Sequence, residues 1–211
     1  MYKKFEGFTE AFPKGEPIQP PTGILAFCRH YTRGFEKPLI LLGLMTMTIA
    51  IIEVALFGYM GQLVDWLSTS NPDTFLADNK STLVGLGILL LVAMPILISV
   101  YSLLLHQTLL GNYPMSIRWL AHRYLLKQSL SFYQDDFAGR VATKVMQTSL
   151  AVRETVTKMV DVFVYVTVYF TAMLFMLAES DWRLMAPMLI WLFIYVGIQL
   201  YFVQKLKDVS S

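Results

Sequence analysis

The chain has 211 residues, 55% of them hydrophobic and 15% charged, with a net charge of +2. Soluble domains run at about 45–50% apolar and about 25% charged, so this composition excludes an ordinary water-soluble globule and points to folding against lipid. A charge this small leaves no electrostatic footprint for nucleic acid, and no such partner is expected.

Residues 1–21 are polar and carry Pro13, Pro17, Pro20 and Pro21. They read as a cytoplasmic N-terminal segment. A cleavable signal is not expected, because the apolar run that follows is too long and no small-residue cleavage site comes after it. Over 22–37, Ile24, Phe27, Cys28, Tyr31 and Phe35 recur at helical spacing among Arg29, His30, Arg33 and Lys37. That pattern predicts an amphipathic helix lying in the inner membrane interface. Cys28 is the single cysteine, so neither an intramolecular disulfide nor a thiol pair for a metal is open to it.

Four charge-poor windows follow, at approximately 38–66, 81–111, 160–178 and 183–204. Windows of about 20 apolar residues read as spanning helices, because a helix satisfies its own backbone in hydrocarbon. Pro38 suits the first turn of the first span. From Pro38 to Val64 the one charge is Glu53, and a carboxylate at such depth must face protein or a watery cavity. Two readings of it stay open, a cavity residue and a hydrogen-bonded tie between helices.

The second window is too long for its purpose. From Ser81 to Ile117 there is no Asp, Glu, Lys or Arg, and at about 1.5 Å per residue that run would reach roughly 55 Å against a hydrocarbon core of about 30 Å. The helix is predicted to leave the bilayer, with Pro95 and Pro114 as kink positions and Ile117, Leu120, Tyr124 and Leu125 on one face. On the return path Val141, Val145, Thr148, Val152, Thr155 and Met159 make a second stripe, and Glu154 and Lys158 have the order of an i, i+4 pair. A hairpin over 112–159 results. Its exposed tip is Ser131, Phe132, Tyr133, Gln134, Asp135, Asp136 and Phe137, with Gly139 as a turn residue. Large aromatics at such a tip call for a partner that buries them.

Basic residues collect before the first span, within 112–159 and after the fourth, whereas the other two connections hold only Lys80 and Arg183. By the positive-inside rule the N-terminus and the hairpin are cytoplasmic. Anionic lipid accounts for the basic flanks. Phe163, Tyr165, Tyr169, Phe170, Met173 and Met176 fit either a greasy cavity or bundle packing. His30, His106 and His122 lack a paired ligand at metal spacing, and no metal, cofactor or catalytic site is expected in this chain.

The segment from Gly111 to Glu154, GNYPMSIRWLAHRYLLKQSLSFYQDDFAGRVATKVMQTSLAVRE, resembles the first intracellular loop of ABC exporters of the six-helix type. Those proteins show an aromatic pair before a turn, then glycine, leucine, arginine and aspartate; here Phe132, Tyr133, Gly139, Val141, Lys144 and Thr148 stand at the matching places. Lysine for arginine loses the planar fork, and Thr148 for aspartate drops a charge, so the family's salt bridge is not expected. The resemblance implies an all-α membrane protein, with an interfacial elbow helix and four long transmembrane helices of a six-helix bundle. It implies that Ser131–Phe137 is a coupling helix docking on a nucleotide-binding domain, on the same polypeptide downstream or a separate chain, and that a second membrane domain completes a homo- or heterodimer.

No G-x-x-x-x-G-K-[ST] loop occurs in the chain, so ATP and Mg are expected at a downstream domain. The fourth helix is read as continuing past VQKLKDVSS, leaving 38–211 as a partial membrane domain. The expected function is the permease part of an exporter in the bacterial inner membrane that moves a small hydrophobic or amphipathic molecule by alternating access. The alternative is a membrane interaction or regulatory protein that transports nothing.

Overall fold

The computed structural model describes residues 7–16, 18–69, 75, 79–135 and 138–210. Its elements are α1 (Ile24–Thr32), α2 (Glu36–Thr69), α3 (Lys80–Leu125), α4 (Leu130–Asp135), α5 (Ala138–Ser180), a 3₁₀ turn (Trp182–Leu184) and α6 (Met185–Ser210). No strand occurs among the described residues. Helices α2, α3, α5 and α6 are long and apolar enough to cross a membrane, so the molecule is an all-α, multi-pass integral membrane protein.

Gly34 carries the only positive φ among the described residues, 89°. It stands where the chain reverses between α1 and α2, a conformation that lacks a steric penalty only without a Cβ. Pro38 falls in the first turn of α2, where a helix has no use for the missing N–H. Ile24 and Leu25 stay exposed, and only Phe27, Cys28, Tyr31 and Phe35 of the expected stripe turn inward.

Helix α3 is 46 residues and α5 is 43, so at about 1.5 Å per residue each is more than twice as long as a 30 Å hydrocarbon core. Their surplus lengths pair outside the apolar layer as the hairpin. α3 passes both prolines without stopping. Five residues of π-helix, Leu89–Ala93, precede Pro95, and nine, Leu104–Asn112, precede Pro114. The wider turns relieve the clash of each ring with the carbonyl four residues back and absorb its missing donor.

α2 and α5 lie side by side and parallel. A Cβ on Gly43 would meet Val160 at 3.3 Å, and one on Gly58 would meet Met176 at 3.8 Å. In lipid, where both faces of a helix are equally apolar to their surroundings, such close backbone approach is what holds helices together. The buried cluster sits where the bundle meets the hairpin: Phe35, Leu39, Leu42 and Met45 pack on Leu104, Leu109, Tyr113, Ile117 and Val152. Phe35 stacks on Tyr113 at 4.7 Å, and the Tyr113 hydroxyl shares a 2.8 Å hydrogen bond with Thr32.

The return stripe differs from its expected course. Thr148, Thr155 and Met159 are exposed, and the buried series runs through Ser149, Val152 and Thr157 with Val156 and Val160 alongside. Ser149 goes inside because Arg118 reaches it across the hairpin, Nε to Oγ, at 2.9 Å. Glu154 pairs with its neighbour Arg153 at 3.0 Å and not with Lys158.

Candidate functional site

Three arrangements bear on function: the hairpin tip, a strap along the hairpin, and a polar cluster within the spans. At the tip α3 ends at Leu125, the chain turns through Leu126–Ser129, and α4 forms a separate six-residue helix. Ser131 is exposed and its hydroxyl meets that of Ser129 at 2.8 Å. The Tyr133 hydroxyl donates to the Leu125 carbonyl at 2.6 Å, satisfying one of the acceptors that the end of α3 leaves open.

Phe132 packs edge-on against Tyr133, ring centres 5.4 Å apart. Tyr133 thus turns back over an apolar cleft of about 410 Å³ between His122, Leu125 and Leu126 of one arm and Val141, Val145 and Met146 of the other. The aromatics pack in part on their own hairpin. Gln134 and Asp135 close α4; Asp136 and Phe137 lie outside the described residues. Gly139, expected in the turn, is the second residue of α5 and has no positive φ, so it starts the return helix. Lys144 and Thr148, the family-pattern positions, are exposed and line one small cavity beside Tyr31 and Tyr124.

The polar segment before α1 is ordered against the hairpin. Asn112 donates to Thr9 at 3.2 Å, Phe12 meets Trp119 edge-on at 5.4 Å, and the Trp119 indole donates to the Pro13 carbonyl at 3.2 Å. Arg123 donates to the Gly15 carbonyl at 2.8 Å, with longer contacts of 3.4 Å to Pro13 and Lys14. Residues 9–16 therefore run as a strap along α3 from the membrane end towards the tip. The chain then returns past Pro20 to α1, where burial and the neighbouring Tyr124 push the Tyr31 phenol up. Sequence reading saw only polarity and proline in this segment; Trp119 and Arg123 on α3 were its available signal.

Within the spans Glu53 accepts a hydrogen bond from the Tyr165 hydroxyl at 2.6 Å, tying α2 to α5. A second carboxylate, at the start of the 160–178 window, does more. Asp161 accepts from Thr46 of α2 at 2.6 Å and from Tyr101 of α3 at 2.8 Å, joining three helices. A cavity of about 260 Å³ lies beside it, lined by Thr46, Ile49, Tyr101, Asp161, Val162 and Tyr165. Of the aromatics weighed for a greasy cavity, Tyr165 lines this one and stacks on Tyr169 at 5.6 Å, whereas Phe163 is exposed. Glu53 thus bonds to a residue that lines the cavity, and the carboxylate in the wall of this cavity is Asp161.

The model of the family described as the ABC transporter transmembrane region matches residues 39–211. A Haemophilus influenzae protein described as an uncharacterized ABC transporter ATP-binding protein is 39% identical over 214 residues. That alignment takes in all of this chain and 34% of the relative, so the chain spans about a third of that protein's length. No solved structure matches the chain.

Proposed function

The chain belongs to the ABC transporter transmembrane-region family, and from that premise we propose that it is the permease part of an ATP-driven exporter working by alternating access. The observation that carries this reading is the hairpin: two helices, each about 65 Å or more in length, end on a separate short helix, Leu130–Asp135, far from the apolar layer. Such rods transmit a rigid-body movement at one end to the bundle at the other. The 131–137 tip is the coupling element, seated on a nucleotide-binding domain that holds ATP and Mg. In the relative's length there is room for that domain on the same polypeptide.

A second membrane domain, identical or not, closes the transport pathway. The N-terminus and hairpin face the cytoplasm at a bacterial inner membrane, a reading that the distribution of basic residues supports. The cavity beside Asp161 and Tyr165 is mostly apolar with a few convergent hydroxyls and one carboxylate, which suits a small hydrophobic or amphipathic cargo.

The test uses the full-length protein in proteoliposomes. Phe132→Ala and Tyr133→Ala should leave ATP binding intact and lower transport per ATP hydrolysed at least several-fold. Tyr133→Phe, which removes only the bond to Leu125, should have a smaller effect in the same direction. Normal transport per ATP in all three variants would refute the tip's role. Full-length protein that hydrolyses ATP and moves no cargo would favour the interaction-protein reading.

A further inference from the structure

A second cavity, of about 240 Å³, opens where α3 and α5 leave the apolar layer for the hairpin. Leu105 and Leu110 of α3 form its greasy wall, and Arg153, Glu154, Thr157, Lys158 and Asp161 of α5 its polar one. Asp161 lies 19 residues from Ser180, roughly 28 Å along the helix, which puts it at the hairpin-side edge of a 30 Å hydrocarbon core. Arg153, Glu154, Thr157 and Lys158 lie one to two turns beyond, at headgroup depth. This is a different place from the tip and from the cavity assigned to cargo, although Asp161 borders both cavities.

Two polar atoms here have no partner among the described residues. Thr157 is 7% exposed and its hydroxyl is buried without a hydrogen bond; the Arg153 Nε is buried in the same condition. Buried donors are paired in nearly all native structures, so such a pair of orphans at one cavity calls for a ligand rich in acceptor oxygens. A phosphate is such a group, and arginine's fork is the side chain that best matches it.

The charges narrow the choice further. Arg153 and Lys158 are balanced by Glu154 and Asp161, so the cavity as a whole is neutral. A simple anion would meet two carboxylates with nothing to offer them; a ligand carrying both signs has a cation for one of them. Glu154 is half-exposed at the headgroup side and gives one oxygen to Arg153 at 3.0 Å, which leaves acceptor sites for a primary ammonium.

We propose that this cavity binds the zwitterionic headgroup of an aminophospholipid. Its phosphate is held by Arg153 Nε, the Thr157 hydroxyl and Lys158, and its ammonium by Glu154. Leu105 and Leu110, level with these polar groups, pack against the glycerol backbone of the same lipid. The source of the phosphate is lipid because the cavity stands at headgroup depth and pairs its polar wall with a greasy one of Leu105 and Leu110.

The experiment takes the full-length protein in detergent, stripped of lipid, and titrates it with phosphatidylethanolamine, phosphatidylglycerol, phosphatidylcholine or inorganic phosphate while native mass spectrometry counts bound lipid. Phosphatidylethanolamine should bind about tenfold more tightly than the other lipids, the size of one charge-assisted hydrogen bond, and inorganic phosphate should not displace it. Thr157→Val, which keeps shape, and Arg153→Lys, which keeps charge, should each weaken it by about tenfold. Glu154→Gln, at an exposed position that folding tolerates, should erase the preference over phosphatidylglycerol. Undiminished binding to the Thr157 and Arg153 variants would overturn the site. Equal binding of phosphatidylglycerol to the unaltered protein would overturn the zwitterion, and displacement by inorganic phosphate would overturn the lipid.

Discussion

Replacing Arg123 with Gln removes the guanidinium that holds the strap to α3. Of its three contacts the 2.8 Å bond to the Gly15 carbonyl is well made, and the two at 3.4 Å are too long to add much. A hydrogen bond from a charged donor contributes about 1.5–3 kcal/mol, and partial exposure of Arg123 argues for the lower figure. A loss of about 1.5 kcal/mol is roughly tenfold in the population of released strap. The Lys14–Gly15 bond lies inside the strap with Lys14 exposed, so trypsin reports the release directly. Where opening is fast compared with cleavage, the nicking rate follows the open population, and cleavage after Lys14 should accelerate about tenfold in the folded full-length protein. Trp119→Phe keeps the edge-on contact with Phe12 but loses the 3.2 Å bond to Pro13; a neutral bond contributes about 0.5–1.5 kcal/mol, and a two- to tenfold acceleration is expected. The pair Lys127–Glu16 is 3.8 Å apart and largely exposed, and its removal should leave the rate unchanged. An unaltered rate after Lys14 in Arg123→Gln would refute the clamp. Equal acceleration after Lys80, at the other end of α3, would show general loosening in its place.

Asp161→Leu leaves the Thr46 and Tyr101 hydroxyls without their acceptor. Interhelical hydrogen bonds in membranes contribute on average about 0.6 kcal/mol each, so the variant should lose about 1–2 kcal/mol in reversible unfolding and Asp161→Asn less; a Leu variant as stable as the parent would count against the three-helix tie. Gly34→Ala forces a Cβ into a left-handed backbone and should cost about 1–2 kcal/mol, read as a lower melting temperature, with Gly34→Asn milder. If Ala and Asn melt alike, and like the parent, the reversal between α1 and α2 does not depend on that φ. Gly43→Leu pushes α2 off Val160 and should cost about 1–3 kcal/mol by overpacking, whereas Gly43→Ala needs a shift of only a few tenths of an ångström. Both can be measured by the same unfolding assay, and a Leu variant no worse than Ala would mean that the helices are not in close contact there.

Much of the architecture was legible in the chain because lipid imposes a one-dimensional rule. Hydrocarbon cannot solvate a charge or an open backbone, so gaps between charges mark spans whatever the neighbours are, and a charge-free run of Ser81–Ile117 has to continue beyond the bilayer. The hairpin and its aromatic tip followed from length, periodicity and resemblance. Partner choice was not legible. Between Thr148 and Ser149 or Met159 and Val160, composition favours the wrong member or neither, and only the approach of Arg118 and of α2 decides which turns inward. Asp161 has no evident partner in the sequence, which does not show that Thr46 and Tyr101, 115 and 60 residues away, converge on it. The strap has no periodicity at all; its order comes from carbonyls of residues 13–15 meeting donors on α3, a contact between segments more than 100 residues apart. The sequence by itself determined which segments enter lipid, since that depends on each segment's own solvation. Only the tertiary structure decided which polar groups meet, since a hydrogen bond depends on two partners arriving at one point.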